Sequence, residues 1–429
     1  MPEVFNTRIP YFNTHIKIEV PLSNFSGIFQ SKVEEYQPGI SEAALVKHAL
    51  DNPIASLPLE KLSEGKNNIV IITSDHTRPV PSRIIMPFIL ERIRRGNPQA
   101  VITILVATGF HRPSTKQELI NKLGDKIVRE ENIVMHFSNH AQDMIFLDKL
   151  PSGGDLLINK IAAKADLLIA EGFIEPHFFA GFSGGRKSVL PGIASTATVL
   201  ANHCSEFIQS PYARTGVLDN NPMHTDMIFA ANTAKLKFIV NVVINSDKKI
   251  IHAVAGDHET AHRSGCDFLA NLCRIPASGA DIVISSNGGS PLDQNIYQAV
   301  KGMTAAEASC NCDGTIIMIA ACNDGHGGES FYRNMAEAAT PAEVLRKVEK
   351  IPRNKTIPDQ WEFQILARIL ERHRVIMVTD MCSPELIKNM HMEHAVTFEE
   401  ALSMAMKEKG KNASVAVIPD GVSVIVDPK

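Results

Sequence analysis

Aromatic rings and clustered basic charge are both scarce in this sequence. Of its 429 residues 6% are aromatic, the formal net charge is -4, and the lysines and arginines form no tract. Proteins that bind nucleic acid usually present a basic patch interleaved with aromatic side chains. We therefore expect no nucleic-acid partner. A composition of 44% hydrophobic and 21% charged residues instead predicts a globular protein of two or three domains that binds a small molecule.

Long apolar runs are absent as well. Residues 1–21 carry polar and charged side chains throughout, unlike a secretory signal, and no stretch reaches the length of a membrane span. The sequence therefore predicts a cytoplasmic protein with no membrane partner. Its seven cysteines are odd in number and dispersed among apolar residues, which predicts buried free thiols.

The chain also lacks an internal repeat and the G-x-G-x-x-G turn that an ordinary nicotinamide dehydrogenase needs after a strand. What it has instead is a series of short β-branched runs, each followed by a polar loop. Residues 68–74 and 100–107 are predicted to be buried strands, with a helix at 82–95 between them. Ser114 and Gln117 form a capping box that predicts a helix running towards Gly124. This alternation is typical of an α/β fold with a parallel sheet.

Three of the polar loops carry the side chains best suited to chemistry. Asp75 and Arg78 follow the first strand, His111 follows the second, and His177 and Lys187 come after a predicted strand at residues 166–170. Because ligands bind beyond the carboxyl ends of parallel strands, we expect these five residues to lie close together.

The loop at residues 176–192 is the densest of the three. It holds His177, Lys187 and four glycines, among them Gly184 and Gly185. Glycine allows the backbone to approach a ligand closely, so the segment predicts a ligand cradle. A glycine-rich surface turn with a solvated lysine is the alternative.

A second α/β series begins after residue 278. We predict a first domain at 1–256, a helical linker at 257–278 and a second domain at 279–429. Each domain is expected to have a mostly parallel sheet flanked by helices, with the active site in the cleft between them. A helix predicted at 293–309 carries Tyr297, Gln298 and Lys301. Gln298 and Lys301 share one face, so they form either a lid over the crevice or two solvated helix residues.

The segment from His258 to His262 offers a competing function. His258, Glu259 and His262 fit the H-E-x-x-H pattern, which on a helix presents two imidazoles to zinc with the glutamate as general base. A zinc-dependent hydrolase is therefore one alternative, although its third ligand would have to come from elsewhere. A non-enzymatic metal- or ligand-binding protein is another.

The residues of the three loops indicate proton transfer on an anion. Arg78 offers a planar fork for a carboxylate or phosphate, and Lys301 adds a point charge. His111 and His177 are suited to moving protons at neutral pH, and a neutral His203 is able to bind a metal. From the residues alone, we predict an α/β enzyme that acts on a small anion through proton transfer.

Six segments taken together resemble the nickel-pincer lactate racemase family. They are residues 74–79 (Ser-Asp-His-Thr-Arg-Pro), 107–113 (Ala-Thr-Gly-Phe-His-Arg-Pro), 176–192, 201–203 (Ala-Asn-His), 291–302 and 359–361 (Asp-Gln-Trp), in the family's order. The resemblance covers nearly the whole chain. It implies two α/β domains with the active site between them. It also implies a nickel-pincer nucleotide, a pyridinium-3-thioamide-5-thiocarboxylic acid mononucleotide with Ni, which cofactor-maturation proteins supply.

The resemblance further implies roles for single residues. Lys187 looks like the lysine that bonds the cofactor, His203 like the nickel ligand, and His111 and His177 like the acid/base pair. Residues implied to bind the cofactor are Lys187, Asp75, Thr77, Arg78, Gly184 and Gly185. Residues implied to bind the substrate are Arg78, Tyr297, Gln298, Lys301 and Trp361.

The reaction implied is inversion of the C2 stereocentre of a 2-hydroxy acid. One histidine removes the hydroxyl proton while hydride leaves the α-carbon for the cofactor, and hydride then returns to either face of a planar 2-oxo acid. Lactate or another small acid is the first expectation. Phe110 departs from the small polar residue expected beside His111 in an enzyme for lactate. Malate, an aromatic 2-hydroxy acid or a sugar acid is therefore the alternative substrate.

Overall fold

The chain forms two six-stranded sheets, and both consist mainly of parallel strands. The structure is a computed structural model that describes residues 3–109 and 111–427, so the expectation about Phe110 lies outside the described residues. Helices accompany the strands throughout both halves. The predicted α/β class, with two mostly parallel sheets, is confirmed.

The first sheet is built on a strand that is buried on both faces. Asn68–Ser74 buries its five central residues, as expected of a β-branched run inside a parallel sheet. It runs parallel to Leu167–Phe173 on one side and Val101–Ala107 on the other, so a switch point lies at their carboxyl ends, where ligands bind in such sheets. In spatial order the strands are Ile250–Gly256, Leu236–Ile244, Leu167–Phe173, Asn68–Ser74, Val101–Ala107 and Asn132–Met135.

The helices of the first half connect these strands. The predicted helix at 82–95 is Ser82–Gly96. The helix Thr260–Cys273, which was predicted to start at residue 257 and to link two domains, contacts the strand Ile250–Gly256. The helices are Glu42–Asp51, Leu59–Ser63, Ser82–Gly96, Lys116–Leu123, Asp125–Glu130, Lys160–Ala163, Thr196–Asn202, Ser205–Gln209, Pro222–Thr233 and Thr260–Cys273.

The capping box after the second strand lies one residue later than predicted. Thr115, not Ser114, caps the helix Lys116–Leu123, because its hydroxyl accepts from the Glu118 amide and the Glu118 carboxylate accepts from the Thr115 amide. The Ser114 hydroxyl instead lies 3.0 Å from His76 Nδ1. The prediction of Ser114 and Gln117 as the box was therefore wrong by one position.

The second sheet includes a strand from the N-terminal part of the sequence. All its strands are parallel, and Phe25–Ile28 pairs with Val415–Ile418 at one edge. The hairpin of Val4–Tyr11 and Thr14–Pro21 packs on the same apolar cluster as this sheet. The division at residues 256 and 278 stays a prediction, although strands within residues 4–28 pair or pack with the second sheet. In spatial order the strands are Glu393–Ala395, Arg374–Val378, Cys310–Ile319, Ala280–Ser286, Val415–Ile418 and Phe25–Ile28.

The remaining elements are helices of the second half and short pairs. The predicted helix at 293–309 begins at Ile296. The helices are Ile296–Ser309, Glu329–Ala336, Pro341–Glu349, Gln360–Arg372, Pro384–Asn389 and Phe398–Lys409. Two-stranded pairs join Met144–Lys149 with Asp155–Asn159, Pro176–His177 with Gly181–Phe182, and Arg274–Ile275 with Ile425–Val426. The 3-10 helices are Val33–Glu35, Ala141–Asp143, Gly185–Ser188 and Arg353–Lys355.

The two halves contact each other through the helix Gln360–Arg372 and the 3-10 helix Arg353–Lys355. Gln364 Nε2 donates to the Ser205 carbonyl at 2.9 Å, and Arg353 Nη2 lies 2.6 Å from Glu206 Oε2. One cluster of buried apolar side chains includes residues from both halves. Side chains of the second half are thereby held beside the loops of the first.

Two further predictions concern the cysteines and membrane-spanning helices. Five cysteines are buried and Cys382 is partly buried, but Cys312 is exposed, so the prediction of buried thiols was wrong for that residue. Within residues 3–109 and 111–427, no helix combines the length and the apolar character needed to cross a bilayer.

Candidate active site

Hydrogen bonds join the loops that follow the first two strands. Asp75 is 1% exposed, its Oδ2 lies 2.7 Å from His111 Nδ1, and its Oδ1 accepts from the Thr77 amide and hydroxyl at 3.0 and 2.6 Å. Arg78 Nη1 donates to the Thr77 hydroxyl at 3.2 Å. Asp75, Thr77, Arg78 and His111 therefore form one connected group.

The protonation of Asp75 decides which nitrogen of His111 is available. Burial alone would raise the pKa of Asp75, but the hydrogen bonds from His111 and Thr77 outweigh it and lower that pKa. An ionised carboxylate only accepts hydrogen bonds, so His111 Nδ1 must donate. In a neutral ring, Nε2 then keeps a free lone pair and can accept a proton.

His177 is held in the opposite tautomer. Its strand, Pro176–His177, pairs with Gly181–Phe182, and this tight turn brings the Ala180 amide to His177 Nδ1 at 3.3 Å. Burial, followed by the charges of Lys187 and Lys301, lowers the pKa of His177 well below its ordinary value. A neutral ring that accepts at Nδ1 carries its hydrogen on Nε2.

Two glycines shape the backbone that carries Lys187. Gly184 and Gly185 have φ of +79° and +53°, and the Gly185 amide donates to Asn241 Oδ1 at 2.7 Å. A Cβ at Gly184 would lie 2.9 Å from the Phe173 carbonyl oxygen, so a side chain there would force the loop away from the sheet. The 3-10 helix Gly185–Ser188 starts from this turn.

The Lys187 amine is partly buried and makes no hydrogen bond or ion pair with the described part of the chain. Burial lowers its pKa well below the ordinary value for lysine, and the charges of Arg186 and Arg78 lower it further. A buried lysine of this kind is readily deprotonated, and the neutral amine is a nucleophile.

Arg186 and His262 bind backbone carbonyls of the loop that precedes Lys187. Arg186 is 0% exposed and donates to the carbonyls of Phe182 and Ala180, each at 2.8 Å. His262 Nε2 lies 2.8 Å from the Ser183 carbonyl. These groups fix the path of the chain towards Lys187.

The H-E-x-x-H segment does not form a metal site. The helix begins at Thr260, so His258 and Glu259 precede it, and His258 Nε2 lies 2.9 Å from Asn232 Oδ1 while His262 binds the Ser183 carbonyl. The part of the chain that the structure describes contains no group of three or more His, Cys, Asp or Glu residues able to hold a metal ion. The structure gives the zinc hydrolase alternative no support.

His203 lies at the end of the helix Thr196–Asn202, where the two halves meet. Its Nδ1 is 2.9 Å from the Val199 carbonyl and must donate to it, which leaves the lone pair of Nε2 unused in the neutral ring. Its ring centroid lies 5.5 Å from that of Phe179 and 5.0 Å from that of Trp361. Burial lowers the pKa of His203 to about 3, so the ring is neutral at physiological pH.

The second half contributes Lys301, Gln298, Tyr297 and Trp361. Lys301 Nζ donates to Gln298 Oε1 at 2.6 Å and lies 5.9 Å from the centroid of the Phe178 ring. Trp361 Nε1 donates to the Tyr297 hydroxyl at 3.1 Å. Gln298 and Lys301 are partly buried and are not the solvated pair of the alternative interpretation. Their action as a lid stays a prediction.

Two carboxylates beside these cations were missed by the sequence interpretation. Glu175 faces the charges of Arg78, Lys301 and Lys187, and burial raises its pKa. Glu362 is 0% exposed, and burial raises its pKa to about 8. Glu175 lies two residues from His177, and Glu362 shares a helix face with apolar side chains three, four and seven residues later, so both left a signal in the sequence.

The five residues predicted to converge fall into two groups. Asp75, Arg78 and His111 form the first, and His177 and Lys187 belong to the second, with His203 and Lys301 nearby. The charge of Arg78 lowers the pKa of both Lys187 and Lys301, so it connects the groups. Among the described residues, no hydrogen bond or ring contact joins His111 to His177.

Comparison with known proteins gives matches over nearly the whole chain. The model of the lactate racemase N-terminal domain matches residues 11–216, and that of the lactate racemase C-terminal domain matches residues 275–426. Lactate racemase of Lactiplantibacillus plantarum is 59% identical over 418 residues, covering 97% of this chain and 99% of that protein. Lactate racemase of Thermoanaerobacterium thermosaccharolyticum is 56% identical over 424 residues, covering 99% and 100%.

Solved structures give the same result. The lactate racemase apoprotein of Thermoanaerobacterium thermosaccharolyticum superposes with a TM-score of 0.95 at 56% identity, covering 99% of this chain and 100% of that one. A protein of Thermotoga maritima shares the fold with a TM-score of 0.66 at 18% identity, covering 92% and 100%.

Proposed function

We propose that this chain, which belongs to the lactate racemase family and is an isomerase, inverts the C2 stereocentre of lactate by moving protons through His111 and His177. The observation that carries the proposal is the opposite setting of the two imidazoles. Asp75 leaves His111 Nε2 ready to accept a proton, and the Ala180 amide leaves the hydrogen of His177 on Nε2. The His111 ring is therefore prepared to accept a proton, and the His177 ring presents a hydrogen to the substrate oxygen.

Lactate is the substrate in the names of both curated relatives, and the charges of the site suit a small anion. Arg78 and Lys301 are the groups we assign to the substrate carboxylate, with Gln298 as a neutral partner of Lys301. Fixing the carboxylate restricts rotation of the bound acid, so its C2 keeps a defined orientation towards both histidines.

The proton steps follow from the two tautomers. His111 Nε2 takes the hydroxyl proton of one enantiomer, and the resulting imidazolium is stabilised by the buried Asp75 carboxylate. When the opposite enantiomer forms, His177 passes its Nε2 hydrogen to the oxygen as its ring takes up a proton from solvent, and His111 releases the proton it took to solvent, so both rings end the turnover neutral. In the reverse direction the two rings exchange roles.

The chain's residues fit the nickel-pincer nucleotide. The Lys187 amine has no partner in the described chain and a lowered pKa, as a lysine that forms a covalent bond requires, and His203 Nε2 has an unused lone pair, as a nickel ligand requires. We assign Lys187 to cofactor attachment and His203 to nickel. Asp75, Thr77, Arg78, Gly184 and Gly185 are assigned to the surrounding pocket.

In the proposed reaction the hydrogen of C2 leaves as a hydride, and no side chain accepts one. The cofactor, when bound, supplies this electron-poor acceptor. Aromatic side chains of both halves line the same region and exclude water, namely Phe178, Phe179, Tyr297 and Trp361. Because the cofactor is a modified nucleotide, the active enzyme requires co-production with cofactor-maturation proteins.

A panel of single-enantiomer 2-hydroxy acids tests the function. Protein co-produced with the maturation proteins and nickel is incubated with D- or L-lactate, malate, an aromatic 2-hydroxy acid or a sugar acid, and enantiomeric purity is followed by chiral chromatography. We expect lactate to racemise fastest, and His111→Ala and His177→Ala to abolish turnover. Preferred turnover of another acid would replace lactate as the substrate, and full retention of purity in every acid would overturn the racemase proposal.

A further inference from the structure

Glu362 is a buried carboxylate without a hydrogen-bond partner. It is 0% exposed in the helix Gln360–Arg372, and neither Oε1 nor Oε2 accepts a hydrogen bond from the described residues. An ionised carboxylate that leaves water in this way is strongly destabilised unless another charge compensates it. The surroundings of Glu362 therefore have to supply that charge.

The compensating charge is Lys301. The helix Ile296–Ser309, which carries Lys301, packs against the helix of Glu362. Burial raises the pKa of Glu362 and the Lys301 charge opposes the rise, whereas burial lowers the pKa of Lys301 and the Glu362 charge opposes the fall. The two side chains thus stabilise each other's charged forms.

Other titratable groups around the pair do not replace Glu362. Arg78 lowers the pKa of Lys301 further, and Glu175 raises it less than Glu362 does. On the side of Glu362, Asp359 raises its pKa, and Tyr297 is neutral because burial and Glu362 raise its own pKa. Trp361, from the same helix, contacts the neutral His203.

The charge of Lys301 matters for substrate binding. Its ammonium donates to Gln298 Oε1, which leaves two of three donors for another acceptor. A neutral amine would offer the substrate carboxylate no charge and a much weaker hydrogen bond.

We propose that Glu362 is a positioning residue that keeps Lys301 charged and ready for the substrate carboxylate. This inference rests on the proposed function, which assigns that carboxylate to Lys301. With Glu362 present, the negative charge of its carboxylate favours the ammonium form of Lys301. Without Glu362, burial and the charge of Arg78 disfavour the ammonium form of Lys301, so the amine must take up a proton from the solvent as the substrate binds.

Three variants test this. Glu362→Gln removes the charge and keeps the shape, and Glu362→Asp restores a carboxylate. Glu371→Gln removes an exposed carboxylate of the same helix and is the matched control. For each holoenzyme, kcat and KM for L-lactate are measured from pH 6 to 9, together with the Kd of L-lactate by calorimetry.

The expected signature is a pH-dependent defect in binding. For Glu362→Gln we expect KM within about twofold of wild type at pH 6 and at least about tenfold higher at pH 8.5, because loss of the Glu362 charge lowers the pKa of Lys301 and so reduces its charged fraction at high pH. We expect kcat to stay within about threefold. Glu362→Asp should recover most of the binding at pH 8.5, and Glu371→Gln should follow wild type at every pH.

The outcomes separate this inference from the proposed function. If wild type racemises lactate and Glu362→Gln shows no change in KM, or the same increase at every pH, the positioning role is overturned and the racemase proposal stands. If wild type binds L-lactate without racemising it, the racemase proposal fails. The pH dependence of Kd then decides the role of Glu362 by the same criterion.

Discussion

His111 Nδ1 donates to Asp75 Oδ2 at 2.7 Å, and this hydrogen bond determines which nitrogen of the imidazole can react. The carboxylate is buried and also accepts two hydrogen bonds from Thr77, so its orientation is fixed. A base whose tautomer and direction are set before the substrate arrives loses little entropy in the reaction. We therefore expect the hydrogen bond between Asp75 and His111 to increase the rate of racemisation, and mutation of Asp75 can measure this effect.

Asp75→Asn should lower kcat and leave KM nearly unchanged. An amide in place of the carboxylate neither fixes the Nδ1–H tautomer nor stabilises the imidazolium, and loss of such a partner lowers kcat by about 10²- to 10⁴-fold in comparable sites. Initial rates of lactate racemisation at equal cofactor occupancy provide the measurement.

Thr77→Val is the matched control for Asp75→Asn. It removes the hydroxyl's hydrogen bond to the carboxylate and the one that it accepts from Arg78, but it keeps the charge of Asp75, so we expect a loss of about tenfold or less. Equal losses for the two variants would contradict the assigned role of the Asp75 charge.

Lys187→Arg should abolish covalent attachment of the cofactor. Arginine keeps a positive charge but stays protonated, so it cannot act as the amine nucleophile. Intact mass of protein co-produced with the maturation proteins should show an added mass of cofactor size for wild type and none for the variant. Lys301→Arg, which changes a neighbouring lysine, should keep the added mass. An adduct on Lys187→Arg would show that attachment occurs elsewhere.

Much of the fold was readable because the central strands are uninterrupted β-branched runs. Asn68–Ser74 was predicted with its observed bounds, since burial on both faces removes the ambiguity of alternation. The pairing of Phe25–Ile28 with Val415–Ile418 was not readable, because the partners are almost 400 residues apart and nothing local specifies the contact.

The site was predictable where chemistry and loop position coincide. His111, His177 and Lys187 stand in strand-end loops, where parallel sheets bind ligands. Arg186 gave no signal, because its partners are backbone carbonyls that only the folded loop brings together. The capping box failed because two adjacent hydroxyls each precede a suitable acceptor by three residues, and the tertiary contact of Ser114 with His76 decides between them.

His258→Ala should leave racemisation within about threefold of wild type, whereas His262→Ala should lower stability. His258 loses one hydrogen bond to Asn232, at a cost of about 1 kcal/mol. His262 is 1% exposed, and its removal leaves the Ser183 carbonyl unpaired beneath the Lys187 loop, at a cost of about 2 to 4 kcal/mol. Urea unfolding and racemisation rates separate the two effects, and an equal loss of activity and of bound zinc in both variants would revive the hydrolase alternative.

His136 should make the protein less stable below pH 6.5. It is 0% exposed between the Ala194 carbonyl and Asn159, and burial lowers its pKa from 6.5 to about 4. A histidine with a lowered folded-state pKa contributes stability that is fully present above its unfolded-state pKa and is lost as pH falls through the folded-state value. Two and a half units correspond to about 3 kcal/mol, which should disappear between pH 6.5 and 4.

Replacing His136 by Gln, which keeps a donor for the Ala194 carbonyl, isolates this contribution. The free energy of unfolding, measured in urea at half-unit steps of pH, should fall less steeply between pH 6.5 and 4 in the variant, even if its value at pH 7 is lower. His48→Gln is the control at an exposed position and should follow the wild-type slope, because this side chain is in contact with water in the folded protein. A wild-type slope in His136→Gln would mean that acid sensitivity arises from the other buried histidines, since each of them also binds a proton on unfolding.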